Sequence, residues 1–207
     1  MTRTSKFAPG FIFAFLFALI ISFAPPAYGG ILNANANAVT FPAFTGSGSF
    51  SSGSLSGILD YAVFTVSEFD TAFPTASYNP TDAVIYAYQL ENTNNAAIVL
   101  EVVGVTNPAN GIGSFLNTAG EINPSAEFFS SGNATWQFDG LSNGEITEIL
   151  VFSSPNTPML GASLTVNGGT SAVLEDVPTP GPDAIPEPTS FALLAVASLC
   201  WLVMRRR

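Results

Sequence analysis

The chain has 207 residues, a formal net charge of −10, one cysteine and no histidine. That inventory excludes an internal disulfide, a Cys/His zinc site and His-dependent nucleophilic catalysis. The five basic residues are Arg3, Lys6, Arg205, Arg206 and Arg207, so residues 7–204 contain no cation to pair with nucleic-acid phosphate or an anionic lipid surface.

The first segment, residues 1–29, has the layout of a secretory signal peptide. Arg3 and Lys6 form a positive start, and residues 11–23 are apolar except for Ser22. The run is short for a membrane span. Ala27-Tyr28-Gly29 fits a small-x-small cleavage site, and Ala34-Asn35-Ala36 and Ala36-Asn37-Ala38 fit it as well. Signal peptidase and the secretion machinery are the expected first partners. Residues 30–57 are rich in Gly, Ser, Asn and Ala. They are expected to form a flexible lead-in, with at most an edge strand near Phe50.

Residues 58–176 carry strand signals and almost no helix signals. ILDYAVFTV at 58–66 mixes β-branched and aromatic residues. DAVIYAYQLE at 82–91 places Val84, Tyr86 and Tyr88 on one face. AAIVLEVVGV at 96–105 follows the turn-rich Asn92-Thr93-Asn94-Asn95, so a hairpin is expected there. NATWQFDG at 133–140 puts Trp136 and Phe138 on one face. EITEILVFSS at 145–154 alternates Ile146, Glu148, Leu150 and Phe152 against Thr147, Ile149, Val151 and Ser153. ASLTVNGG at 162–169 and SAVLED at 171–176 are the last two strands. Short strands separated by Gly, Asn and Pro predict an all-β domain, an antiparallel β-sandwich of Ig-like or jelly-roll-like type.

After the strands, residues 177–185 are proline-rich and predict an extended stalk. Residues 186–207 then fall into three parts. Pro186-Glu187-Pro188 comes first, an apolar stretch at 189–204 follows, and Arg205 to Arg207 close the chain. At 1.5 Å per residue a helix over 189–204 is roughly 24 Å long, a little short of a bilayer core of about 30 Å. Trp201 suits the interface, and the arginines hold that end on the cytoplasmic side as a stop and orientation signal.

This three-part tail resembles the PEP-CTERM sorting signal of bacterial exported proteins. The resemblance covers residues 186–207 and is confined to them. It implies recognition of Pro186, Glu187 and Pro188 by an exosortase, a membrane-embedded transpeptidase-like enzyme. It further implies anchoring in the inner membrane through the C-terminal helix, then removal of the tail and passage to the cell surface or extracellular matrix.

The domain itself offers few routes to chemistry. Paired carboxylates could hydrolyse glycosides. The candidate pairs are Glu68 with Asp70, Asp139 with Glu145, and Glu145 with Glu148. Common surface acids explain them more simply. Calcium is the only cofactor with a candidate site, in the loop holding Asp139, Ser142, Asn143 and Glu145. That loop does not follow an EF-hand pattern, and an ordinary glycine turn accounts for it better. Trp136 with Tyr61, Tyr78, Tyr86 and Tyr88 could build a sugar-stacking surface, although aromatics at alternating strand positions more often form core. Asn133-Ala134-Thr135 matches a glycosylation acceptor, which carries little weight in a bacterial protein. Cys200 is expected to pack in the membrane segment. The expected protein is a non-enzymatic, exopolysaccharide-associated surface or matrix protein that holds no cofactor. A carbohydrate-binding module is the alternative, and a carboxylate hydrolase is third.

Overall fold

The computed structural model describes Leu32 and residues 37–182. Ten strands follow a short 3₁₀ turn at Pro42–Phe44: β1 (Gly46–Ser52), β2 (Leu55–Thr65), β3 (Val84–Asn92), β4 (Ile98–Gly104), β5 (Asn110–Phe115), β6 (Ala126–Ser130), β7 (Asn133–Leu141), β8 (Ile149–Ser154), β9 (Pro158–Asn167) and β10 (Thr170–Pro180). One helix, α1 (Val66–Ala72), sits between β2 and β3. The strands form two antiparallel five-stranded sheets, ordered β1-β2-β3-β8-β5 and β10-β9-β4-β7-β6. This is the arrangement of a β-sandwich. The strand faces expected from alternation are recovered at its centre: Val84, Tyr86, Tyr88, Leu150, Phe152, Trp136 and Phe138 all enter the core between the sheets.

The alternate faces explain the layering. Ala62, Phe64, Ile85, Ala87, Ile149 and Val151 point away from that core into a second one. Strands β2, β3 and β8 are therefore apolar on both sides, and the first sheet needs a cover on its outer face. Helix α1 and the segment after it supply one. Phe69 and Phe73 meet Phe64 and Phe115 in a cluster whose ring centroids lie 5.2–6.0 Å apart. Among the described residues, no helix is long and apolar enough to cross a membrane. The helix expected at 189–204 and the signal peptide at 1–29 lie outside the described residues.

Four expectations need correction. The edge strand allowed near Phe50 is present as β1, but the lead-in is shorter than residues 30–57, because β1 pairs with β2 from Gly46↔Tyr61 to Ser52↔Leu55 and β2 already starts at Leu55. The segments 82–91 and 96–105 do not form a hairpin. Strand β3 pairs with β2 and β8, whereas β4 pairs with β7 and β9 in the other sheet. Asn92 turns the chain between the sheets, its Nδ2 donating to the carbonyls of Ala96 and Leu141. Residues 177–185 are not all stalk, because β10 continues through Pro180. Its two prolines are tolerated because β10 is an edge strand. Finally, α1, β5 and β6 had no counterpart in the sequence reading.

Candidate functional site

The described residues end on a densely hydrogen-bonded segment, Val177 to Gly181, just ahead of the sorting motif in the sequence. Val177, Pro178, Thr179, Pro180 and Gly181 are all buried, and Pro182 is exposed. Asp176 at φ 60° forms the bulge that turns this segment inward. Proline supplies no N–H, so the segment is held chiefly through its carbonyls. Tyr88 Oη donates to the Pro178 carbonyl at 2.5 Å. Asn107 Nδ2 donates to Pro180 O at 2.7 Å, and Asn156 Nδ2 donates to Gly181 O at 2.7 Å. The Gly181 N–H donates in turn to Thr157 O at 2.8 Å. A Cβ on Gly181 would lie 2.9 Å from that same oxygen, so only glycine fits without a shift.

The holders are themselves held. Tyr86 Oη donates to Asn156 O at 2.9 Å, and the Asn156 N–H donates to Ser154 Oγ at 3.1 Å. Ser154 Oγ donates to Pro108 O at 2.6 Å. Burial pushes the Tyr86 and Tyr88 phenols far above their ordinary range, so both remain neutral donors. Sequence inspection placed the two tyrosines on one face correctly. It had no signal for their partners, which lie 70 and 90 residues away.

The other candidate residues divide by environment. Glu68 and Asp70 lie on α1, so they are not the strand pair expected from i, i+2 spacing. Glu68 Oε2 accepts from the Thr65 N–H and hydroxyl, and Oε1 accepts from the Thr40 N–H and hydroxyl. Its slight burial raises its pKa, but these four hydrogen bonds outweigh that and hold the carboxyl below its ordinary value. Asp139 is exposed on β7, while Glu145 accepts from the Ser142 N–H at 2.6 Å and closes its own turn. Glu148 instead accepts from Ser114 Oγ at 2.8 Å. It lines a polar groove of about 570 Å³ with Ser77, Ser114, Asn123, Ser125 and Glu127. The structure thus brings Glu148 to the same groove as Glu127, a pairing the sequence did not suggest. Among the described residues, no group of three or more His, Cys, Asp or Glu side chains is placed to hold a metal.

The proposed aromatic platform does not assemble. Trp136, Tyr86 and Tyr88 are fully buried. Tyr88 and Trp136 pack together across the two sheets with ring centroids 6.1 Å apart, and Trp136 Nε1 donates to Gly113 O at 3.1 Å. Tyr61 and Tyr78 are half-buried, Tyr78 against Phe69. Asn133, Ala134 and Thr135 lie in β7, with the latter two buried. The sorting residues Pro186, Glu187, Pro188, Arg205, Arg206 and Arg207, together with Cys200, lie outside the described residues.

Comparison with known proteins places one match on that tail: residues 184–207 match the PEP-CTERM protein-sorting motif. No curated protein and no solved structure matches the chain. The motif implies export, membrane anchoring before processing, and processing by an exosortase, a membrane enzyme.

Proposed function

We propose, from the PEP-CTERM motif that the chain carries at residues 184–207, that this is a surface or matrix protein whose β-domain has a structural or adhesive role without enzymatic activity. The domain is delivered by its tail, and exopolysaccharide is its expected surroundings. The motif is the observation that carries the reading. The domain supports it by what its candidate groups already do: Glu68 caps a helix and Glu145 closes a turn, roles that leave their carboxylates occupied.

The reading extends to the ends of the chain. Residues 1–29 act as the signal peptide, residues 189–204 as the membrane helix, and Arg205 to Arg207 as its cytoplasmic stop. Within the β-sandwich class, the Ig-like or jelly-roll-like assignment remains part of this proposal. A carbohydrate-binding role is the second reading. It would fall to the polar groove beside Glu127 and Glu148, because the core aromatics are sealed.

The deciding experiment is the mass of the mature protein in each fraction of the native host. A soluble or surface form ending near Pro186-Glu187-Pro188 is the expected result. A single form that keeps Arg207 and stays in the membrane fraction would overturn the sorting reading.

A further inference from the structure

The clamp on residues 178–181 fixes how far the domain can stand from its sorting motif. Gly181 is the last buried residue among the described residues, and residues 182–185 separate it from Pro186 in the sequence. Five residue steps reach about 17 Å at full extension. Pro182, Pro186 and Pro188 also limit how this short link can loop. An enzyme that surrounds Pro186-Glu187-Pro188 needs at least one layer of protein around the peptide, and a single helix is about 10 Å across. The domain is wider than its exit strand, since a five-stranded sheet spans about 19 Å. Its end therefore overhangs the space the enzyme must occupy.

That end has a defined composition. Backbone and side-chain hydrogen bonds gather three loops around the exit. The Val105 N–H donates to Gly132 O, Asn107 reaches Pro180, and Thr157 receives the Gly181 N–H. Beside them is a recess of about 200 Å³ lined by Val105, Asn107, Ala109, Phe129, Gly132 and Asn133. Residues 105–109, 129–133, 155–157 and 178–181 contain no Asp or Glu, although the chain has fifteen acids. Asp82, which lies nearby, accepts from Asn110 Nδ2 and Ser153 Oγ. Loops at the opposite end carry Glu121 and Glu145. Charge depletion is the compositional mark of the central part of a protein interface.

We propose that this loop end, residues 105–109, 131–132 and 155–157, is a docking surface for the membrane enzyme that processes the tail. The proposal rests on the sorting reading given above. The enzyme then recognises two things, the motif and the end of the domain from which it hangs.

The test uses the full-length precursor in its native host and follows the fraction processed at an early time. Thr106 and Thr157 are both exposed at this end, and Ala97 is exposed at the other. The double variant Thr106→Asp/Thr157→Asp is expected to lower processing by about tenfold, because it places unpaired charge in the contact. Ala97→Asp is expected to process normally. A spacer of about ten Gly/Ser residues after Pro182 is expected to relieve the defect of the double variant, since the domain is then free to stand away. Normal processing of the double variant would overturn the proposal. A defect that the spacer does not relieve would also overturn it, because misfolding or failed export would explain the loss. Replacement of Pro186, Glu187 and Pro188 by Ala separates the two levels. If that change stops processing while the double variant is cut normally, the docking surface fails and the sorting reading stands. If the unaltered precursor is never cut, both fail together.

Discussion

Thr165 Oγ1 donates to Oε2 of Glu101 at 2.5 Å in the sealed space between the two sheets. Register places Glu101 on β4 opposite Trp136 on one side and Thr165 on the other, so the carboxyl faces the core. Tyr88 approaches from the facing sheet, and Ser163 lies beside Thr165 on β9. None of these neighbours is a cation. Burial pushes the Glu101 carboxyl up to about 7, and the Thr165 and Ser163 hydroxyls offset only part of that rise.

The stability consequence has a definite sign. The folded state holds the Glu101 proton more tightly than the unfolded chain, whose value is near 4.5. Its contribution is fully present below about 4.5, is lost as pH rises to about 7, and is constant above. The span corresponds to up to about 3 kcal/mol at about 1.4 kcal/mol per pKa unit. Glu91, raised by burial and by Asp60, acts in the same sense more weakly because it is only half-buried and water screens it. Glu68 acts in the opposite sense and only in more acidic solution. Urea midpoints measured from pH 4.5 to 8 should fall with pH for the natural chain. They should be nearly flat for Glu101→Gln, which should be the more stable of the two above pH 7. Equal slopes for both proteins would contradict the assignment.

Gly57 tests the boundary that sequence composition blurred. The run of Gly and Ser before residue 58 has the composition of a flexible linker. Residues 46–52 become a strand by pairing with β2 across the two-residue turn Gly53-Ser54, a local hairpin hidden by the small, polar side chains of both its turn and its first strand. A Cβ at Gly57 would run into the Phe50 ring and lie 2.5 Å from Glu91 O. Gly57→Ala is therefore expected to destabilise by about 1–3 kcal/mol through overpacking. Gly168→Ala, where a Cβ meets nothing within 4 Å, should be close to neutral. Denaturant midpoints of the two variants give the comparison, and equal small effects would return residues 46–57 to the lead-in.

The faces of β3, β7 and β8 were legible because alternation is a local property. Tyr86 and Tyr88 must share a face whatever they pack against. Which sheet each strand joins was not legible. The Asn92 turn looks the same in sequence whether it closes a hairpin or carries the chain to the other sheet. Strands β5 and β6 escaped for a related reason. NGIGSF is rich in glycine, and AEFFS is short and half-exposed at an edge, so neither has a clean period-2 pattern. The sorting tail was the most legible part, because its three components are contiguous and need no tertiary context.

Helix α1 had a local signal that the strand reading passed over. Thr65 and Glu68 form a capping box: the Thr65 side chain accepts from the Glu68 N–H, and the Glu68 carboxylate accepts from the Thr65 N–H. Thr65→Ala is expected to cost about 1 kcal/mol. Glu68→Ala should cost more, since it also releases Thr40. Asp70 is exposed on the same helix, so Asp70→Ala should have little effect. Urea unfolding with an unchanged m-value would confirm that order. A matched loss at Glu68 and Asp70 would instead point back to a cooperating carboxylate pair.

The exit clamp makes the last prediction. Tyr88→Phe keeps the ring in the core and removes the one donor to the Pro178 carbonyl. A buried acceptor left unpaired costs about 1–3 kcal/mol. Asn156→Ala removes the donor to Gly181 O, and with it a group that Ser154 and Tyr86 position. Both variants should loosen residues 178–181 before the rest of β10, because the pairing from Thr170↔Asn167 to Glu175↔Ala162 does not depend on either side chain. Limited proteolysis followed by mass analysis reads this directly. Between the Asp176 bulge and Gly181 the natural chain should resist cutting, whereas each variant should gain cuts there. An unchanged cutting pattern in Tyr88→Phe, with global stability reduced, would mean that Tyr88 supports the core and not the exit. The contrast matters for processing, since a loosened exit lengthens the link to Pro186 and gives the domain the same freedom as an inserted spacer.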